Sequence, residues 1–453
     1  MTALLALISL LPRLLLGLGI VHVVWSSLEK KYILIKLFLA GAVGFGLSSL
    51  LAFLWIWLGL PLTTYVIVET VFAISLTLWM LFRFKKDLLS ALPSLRSGWD
   101  VNPIWLILLT FGSAIFVVNL LQYGFQFPHG SMDAWMNWNV VSRFLVDGDD
   151  WRNTFSRSMG HPDYPLFITL NNAITWIFLK KNSVWGPISF HIVIAFCTAG
   201  LLFSLINAVK GSLQASLVVI LFATQLFIAE MGMSQLADFP ISYLILGTGG
   251  CTLLYVISGE RRLAILAGFL AGLAAWTKNE GIVVVLSGLF IWIIIAFIRE
   301  RTVIKEYLLG IAFPLAVVFL FKIFLAPSND IFSANINFLA KITNWDRYLL
   351  IFREAGSTIW KPGEDPISLI GLIIVYGLVI GRSEKRIRGL WTIGLLILAQ
   401  LSAYFAIYLI TPHDLYWHLW TSLSRLYMHI LPLAFLLFFV WIKSPQELES
   451  KES

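Results

Sequence analysis

Apolar residues run in long unbroken stretches along this chain, separated by short polar interruptions, and they do not settle into alternation. Stretches such as Ile104 to Leu121, Ile282 to Phe297 and Ile367 to Ile380 approach or reach the roughly 20 residues that cross a hydrocarbon core as helix. The lack of a two-residue period argues against a membrane β-barrel. Taken as helices, the runs predict spans near 3–24, 32–59, 63–82, 104–122, 184–208, 213–229, 239–257, 262–276, 281–298, 307–326, 367–381, 390–410 and 425–442. The pattern is that of an all-α, polytopic helical membrane protein with about 13 transmembrane helices and a large first external loop, 123–183.

Composition agrees. Of 453 residues, 59% are hydrophobic and 13% charged, and the mean hydropathy is +0.85. The formal charge of +7 does not point to nucleic acid, because the cations sit in short clusters between apolar runs rather than along one polar face. They act as topology signals, since Lys and Arg accumulate on the cytoplasmic side. Lys30 and Lys31; Arg83, Lys85, Lys86 and Arg96; Lys210; Arg261 and Arg262; Arg299, Arg301 and Lys305; and Arg382, Lys385, Arg386 and Arg388 all fall in alternate loops, and Lys443 in the tail agrees. Lys180 and Lys181 do not, but they close a long loop where the rule is weak. Cys197 and Cys251 lie inside apolar segments, so neither a disulfide nor a metal site is implied. The run after Thr2 reads as a retained first helix, since Arg13 interrupts it and a second span follows.

The same alternation puts the chemistry-bearing loops outside. In GSMDAWMNW, Asp133 follows a span closely, and an acid at a membrane edge calls for a partner or a purpose. Trp135 and Trp138 beside it read as interfacial belt aromatics or as part of a site. HPDYP holds His161, Asp163 and Tyr164 between prolines that fix the turn; a capped turn before the next apolar run is the plain alternative. Glu230 and Asp238 flank a short loop, and Asp238 before Phe239 and Pro240 also has the form of a helix cap. In TKNEG, Lys278, Asn279 and Glu280 lie between two spans, where the charges could neutralise each other or Lys278 could meet a phosphate. The last external loop adds His413, Asp414 and His418, then Arg425, which with Ser422 and Ser424 suits a phosphate oxygen or anchors a helix by snorkelling. Acids and histidines are present, yet no ligand spacing calls for a divalent metal, and no other cofactor is implied.

The ordered series DAWMNW, HPDYP, ADFP, AAWTKNEG and TPHDLYWHLWTSLSRL resembles a bacterial or archaeal group of GT-C type polytopic glycosyltransferases, related to the dolichyl-phosphate-mannose protein mannosyltransferases. The resemblance covers roughly Ile104 to Ile442 and leaves the first three spans as an added N-terminal module. It divides the chain into 1–103, a core at 104–326 with catalytic external loop 123–183, and 327–453 with an external segment and the C-terminal helices. It implies a GT-C fold in a plasma or inner membrane, with the active site outside the cytoplasm. It also implies a polyprenyl-phosphate-linked sugar donor and inverting transfer to an acceptor glycan, lipid or protein, with Asp133 at the position of the catalytic acid. The chain departs from the protein mannosyltransferases in carrying Ala134 where they have a second acid, and it shows no large soluble domain.

The chemistry suits the residues apart from the resemblance. A carboxylate such as Asp133 can take a proton from an incoming hydroxyl, and Lys278 and Arg425 suit a leaving phosphate. Trp135 or Tyr164 could stack on a sugar face, with Glu230, Asp238 and Glu280 holding hydroxyls or orienting Asp133. A polytopic transporter of a small polar or lipid-linked substrate is the rival expectation, since carriers also hold acids and lysines among helices.

Overall fold

The computed structural model describes residues 1–27, 29–83, 103–147, 151–156, 159–328, 338–361, 363, 365 and 368–452. Lys85, Lys86 and Arg96 of the expected second basic cluster, and positions 329–337, 362, 364 and 366 of the expected 327–366 segment, lie outside them. The described residues are helical throughout and form no strand; a lone antiparallel bridge joins Arg382 to Ile442. In lipid every backbone N–H and C=O must find its partner inside the element, and the helix is the local way to do so.

In chain order the helices are α1 (Thr2–Val24), α2 (Lys30–Trp57), α3 (Leu62–Arg83), α4 (Pro103–Gln126), α5 (Asn139–Asp147), α6 (Phe167–Leu179), α7 (Trp185–Lys210), α8 (Ser212–Ala223) and α9 (Leu226–Met233). There follow α10 (Asp238–Ser258), α11 (Arg262–Thr277), α12 (Gly281–Ile298), α13 (Val303–Phe324), α14 (Phe338–Thr343), α15 (Trp345–Trp360), α16 (Leu369–Ile380), α17 (Leu390–Ile410), α18 (Leu415–Trp441) and α19 (Pro445–Glu452). Ten of them are long and apolar enough to cross a membrane: α1, α2, α3, α4, α7, α10, α12, α13, α17 and α18. The chain is a multi-pass helical membrane protein.

The expected count of about 13 differs from this for physical reasons. The run at 213–229 is not one straight helix: α8 and α9 meet at 70° and make an eleventh span only if taken together. At the break, Gln225 gives the first N–H groups of α9 no side-chain cap. The Asp365 carboxylate supplies it from far along the chain, accepting from the Leu226 N–H at 2.8 Å and the Phe227 N–H at 3.1 Å. The other two expected spans, α11 and α16, have 16 and 12 residues. At about 1.5 Å per residue they fall short of a hydrocarbon core of about 30 Å.

Although short, α11 is central. It is buried on nearly every face and crosses α13 at backbone contact. A Cβ on Gly268 would lie 2.2 Å from the Tyr307 carbonyl, and one on Gly310 would lie 2.0 Å from that of Ile265. Small residues permit this approach between membrane helices. One apolar core runs from Leu10 to Ile442, so α1 to α3 share it with the later helices. A second cluster joins Ile351 of α15 to Tyr404, Tyr408, Leu419 and Leu423 of α17 and α18. The last expected span also starts early. Asp414 caps α18 by accepting from the Trp417 N–H at 2.8 Å, so most of the polar stretch expected to be loop is helix.

Candidate functional site: a charged network at one end of the helix bundle

Asp238 opens α10 and is fully buried. The expected capping role is not what it does, since Ala237 is the cap residue and no side-chain cap bond forms. Its carboxylate instead collects cations. Oδ1 accepts from Lys278 Nζ at 2.9 Å and meets His429 Nε2 at 2.8 Å, while Oδ2 accepts from Arg425 Nε at 3.1 Å. A buried carboxylate persists only when paired and hydrogen-bonded in this way.

Arg425 extends the network outward, its Nη1 donating to Asp133 Oδ2 at 2.8 Å. The two acids on this one guanidinium differ sharply in access: the Asp238 side chain is 0% exposed and that of Asp133 40%. Asp133 therefore reaches solvent while its partner is locked. It stands immediately before a single π-helical turn, Ala134–Trp138, a distortion frequent at functional sites. The loop before it is fixed by Gly130, at φ +74°, where a Cβ would lie 2.6 Å from the Ser234 carbonyl. The neighbouring Ser131 N–H donates to that same oxygen at 2.9 Å.

The TKNEG turn between α11 and α12 supplies two more charges. Lys278 Nζ lies 3.2 Å from Glu280 Oε1 as well as on Asp238, and its side chain is 5% exposed. The structure thus places Lys278 between two acids, where its ammonium is neutralised internally, and the expected contact with a donor phosphate is not open to it. Burial pushes the Lys278 pKa down, but Asp238 and Glu280 more than offset this and hold it above its ordinary value. Asn279 donates to Asp163 Oδ2 at 2.6 Å and brings HPDYP into the network. Lys322 of α13 ties the two together, donating to the Asn279 side-chain oxygen and the Asp163 carbonyl.

In HPDYP the aromatic rings are already occupied. Tyr164 lies between His161, at 4.9 Å and 7°, and Trp138, at 5.5 Å and 18°. The expectation that Tyr164 stacks on a sugar is corrected by this pile, and burial holds its phenol well above the ordinary pKa. Trp138 is buried and is no belt residue, whereas Trp135 is 53% exposed. His161 carries a left-handed φ of 50° and Gln235 one of 58°. For residues with a side chain this is strained, and such strain gathers at functional loops.

The other expected residues lie on α9 and around the start of α18. Glu230 is partly buried within α9, not at the end of a span. Asp414 is the α18 cap, His418 Nδ1 bonds the Thr411 hydroxyl at 2.9 Å, and His413 packs edge-on to both Trp417 and His418. His418 precedes Arg425 by two helical turns, about 10 Å. No group of three or more His, Cys, Asp or Glu positioned to hold a metal ion occurs among the described residues.

Three participants, His429, Tyr404 and Lys322, lie outside the polar islands, and Asn139 ties together the neighbouring loop. His429 and Tyr404, joined at 2.9 Å, sit inside the apolar runs of α18 and α17. Lys322 closes α13. Asn139 links Gln235 and Asn172 through bonds of 3.0 and 3.2 Å. Only Lys322, a cation at the end of a hydrophobic run, could have been found by inspection.

Glu280 makes the network sensitive to acid. Burial raises its pKa, but the Lys278 ammonium, the nearby His429 and a backbone hydrogen bond together outweigh this, so its carboxyl is held below the ordinary value. The folded protein then binds this proton less readily than the unfolded chain. Its stabilisation is complete above the ordinary carboxylate range and lost as pH falls through the lowered value. Thermal unfolding followed from neutral to acid pH should show a shallower acid limb in Glu280→Gln than in the parent; identical limbs would remove Glu280 from the network.

Comparison of the chain with protein-family models, curated proteins and solved structures gives no match in any of the three. Fold and site therefore rest on the chain itself: a multi-pass helical membrane protein with a paired, partly open set of charges at one end.

Proposed function

We propose that the protein is a GT-C type membrane glycosyltransferase, moving a monosaccharide from a polyprenyl-phosphate donor to an acceptor glycan, lipid or protein on the extracytoplasmic face of the cell membrane. The observation that carries this reading is the bridge Asp133–Arg425–Asp238. It sets a solvent-reaching carboxylate beside a guanidinium held in place by a buried acid. Asp133 as general base takes the proton of the acceptor hydroxyl while that oxygen bonds the anomeric carbon from the face opposite the phosphate. The carbon–oxygen bond to the lipid phosphate breaks, the configuration inverts, and the phosphate leaves as an anion. Arg425, whose planar fork suits phosphate oxygens, stabilises that charge. Lys278 acts one step back, sharing Asp238 with Arg425 so that the buried acid does not rest on the guanidinium alone. Trp135 is the aromatic left exposed for a sugar face.

An apolar groove of about 340 Å³ between α15, α17 and α18 supports the lipid half of the reading. Phe352, Leu401, Phe405 and Leu423 line it, and so does Tyr404, whose hydroxyl joins His429 and through it Asp238. A polyprenyl tail in this groove would bring its phosphate toward Arg425.

A transporter is the second reading, favoured by a buried cation deep in α1. Arg13 is fully buried and donates to the Asn171 side chain and carbonyl and to the Thr175 hydroxyl. Glu69 is buried in the neighbouring α3. Ionisable groups at such depth often mark a translocation path. Purified protein in nanodiscs, given a radiolabelled polyprenyl-phosphate sugar and a set of acceptors, separates the two. Labelled glycoside of inverted configuration supports transfer. Sugar or lipid flux across proteoliposomes with no covalent product would overturn it.

A further inference from the structure

The opposite end of the bundle holds a second constellation, and nothing in the proposed transfer uses it. α12 runs from beside Glu280 to Arg299 over 18 residues, about 27 Å of helix. That is close to the thickness of a bilayer's hydrocarbon core. At its far end a cleft of about 760 Å³ opens between the ends of α10, α12 and α18 and the loop joining α16 to α17. Five cations line it, Arg299, Arg382, Lys385, Arg386 and Arg388, and none of its lining residues is acidic. Glu384, the acid of the loop, does not line it.

Topology requires only that such charges lie in the loop; it does not require a walled cavity. Here the loop is held in a defined form. The Ser383 N–H donates to the Trp441 carbonyl at 3.2 Å and the Lys443 N–H to the Gly381 carbonyl at 3.0 Å. The Ser383 hydroxyl donates to Glu447 of α19 at 2.8 Å, and Glu447 is itself anchored by Lys210 at 2.9 Å. The walls beneath the cations are apolar, with Val256, Ile295, Ile298 and Leu390 leading to Trp391 and Trp441. Both tryptophans are substantially exposed, as residues at the level of lipid headgroups are. The Arg382 guanidinium lies 5.8 Å from the Trp441 ring centre. A cavity with a cationic rim, a greasy floor and aromatic edges matches an amphiphile with a phosphate at one end and hydrocarbon at the other.

We infer that this cleft binds the headgroup phosphate of an anionic phospholipid from the leaflet opposite the Asp133 network. Arginines with planar forks clasp the phosphate oxygens, and the acyl chains descend along the apolar wall.

The test uses full-length protein in neutral detergent, with dioleoyl phosphatidylglycerol and dioleoyl phosphatidylcholine as probes and lipid retention read by native mass spectrometry. Phosphatidylglycerol should be retained preferentially. The triple variant Arg382→Gln, Arg386→Gln, Arg388→Gln should weaken that retention about a hundredfold, at roughly fivefold for each cation removed. The corresponding triple lysine variant should recover part of it, keeping the charge without the fork, which separates charge from folding. Equal retention of the two lipids, or unchanged retention in the glutamine variant with its melting temperature intact, would overturn the inference. So would full displacement of the lipid by inorganic phosphate, which would make the site one for a free anion.

Discussion

Replacing Asp238 with alanine is expected to destabilise the protein by about 3–5 kcal/mol, the usual cost of removing one partner from a buried ion pair. The effect belongs at the top of that range because the carboxylate serves three groups at once, Lys278, Arg425 and His429. Its removal leaves Lys278 with Glu280 and Arg425 with the half-exposed Asp133, which compensate them only in part. Thermal unfolding in detergent should show a lower melting temperature and a loss of monodisperse protein. Adding Lys278→Met to Asp238→Ala should cost less than the two single changes summed, because neighbours in one network do not act independently. An Asp238→Ala protein as stable as its parent would mean that the cations are compensated elsewhere.

Asp133→Asn should act in the opposite manner. Under the proposed chemistry it removes the proton acceptor and should lower the transfer rate by about 10²–10⁴-fold, the usual contribution of a general base. The fold should be unaffected. Asp133 is 40% exposed, its amide oxygen can still accept from Arg425, and Arg425 retains Asp238. Transfer of labelled sugar by this variant, measured beside its melting curve, separates the proposed role of Asp133 from the structural role of Asp238. Full transfer by a normally folded Asp133→Asn would remove it as the base.

Much of this was readable from residue order, and the exceptions have definite causes. Long apolar runs gave the spanning helices, because an 18-residue hydrophobic stretch has few other stable forms in lipid. Hydropathy reports apolar character rather than length, so it does not separate α11 and α16, at 16 and 12 residues, from full-length spans. The bend between α8 and α9 is not visible in the apolar run, because Asp365, which caps α9 there, lies 139 residues away from Leu226. Alternation puts DAW, HPDYP, ADFP and TKNEG on one side of the bundle, but their contacts with Arg425, which lies inside α18, depend on how the helices pack. The division of labour among them did not follow. Whether a lysine faces a ligand or a second carboxylate depends on distances of a few ångströms, as at Lys278 between Asp238 and Glu280. His429 and Tyr404 were hidden for a simpler reason: within an apolar run, one polar side chain per turn is no pattern.

The dependence of α9 on Asp365 also bears on the order in which the molecule is made. A ribosome releases Leu226 and Phe227 long before the aspartate that satisfies their N–H groups has been synthesised. During that interval the corner must hold its donors in water or run on as a straighter helix. The sharp angle is therefore completed late, when the C-terminal third of the chain docks. Chains truncated ahead of Asp365 should insert with this region in a different geometry.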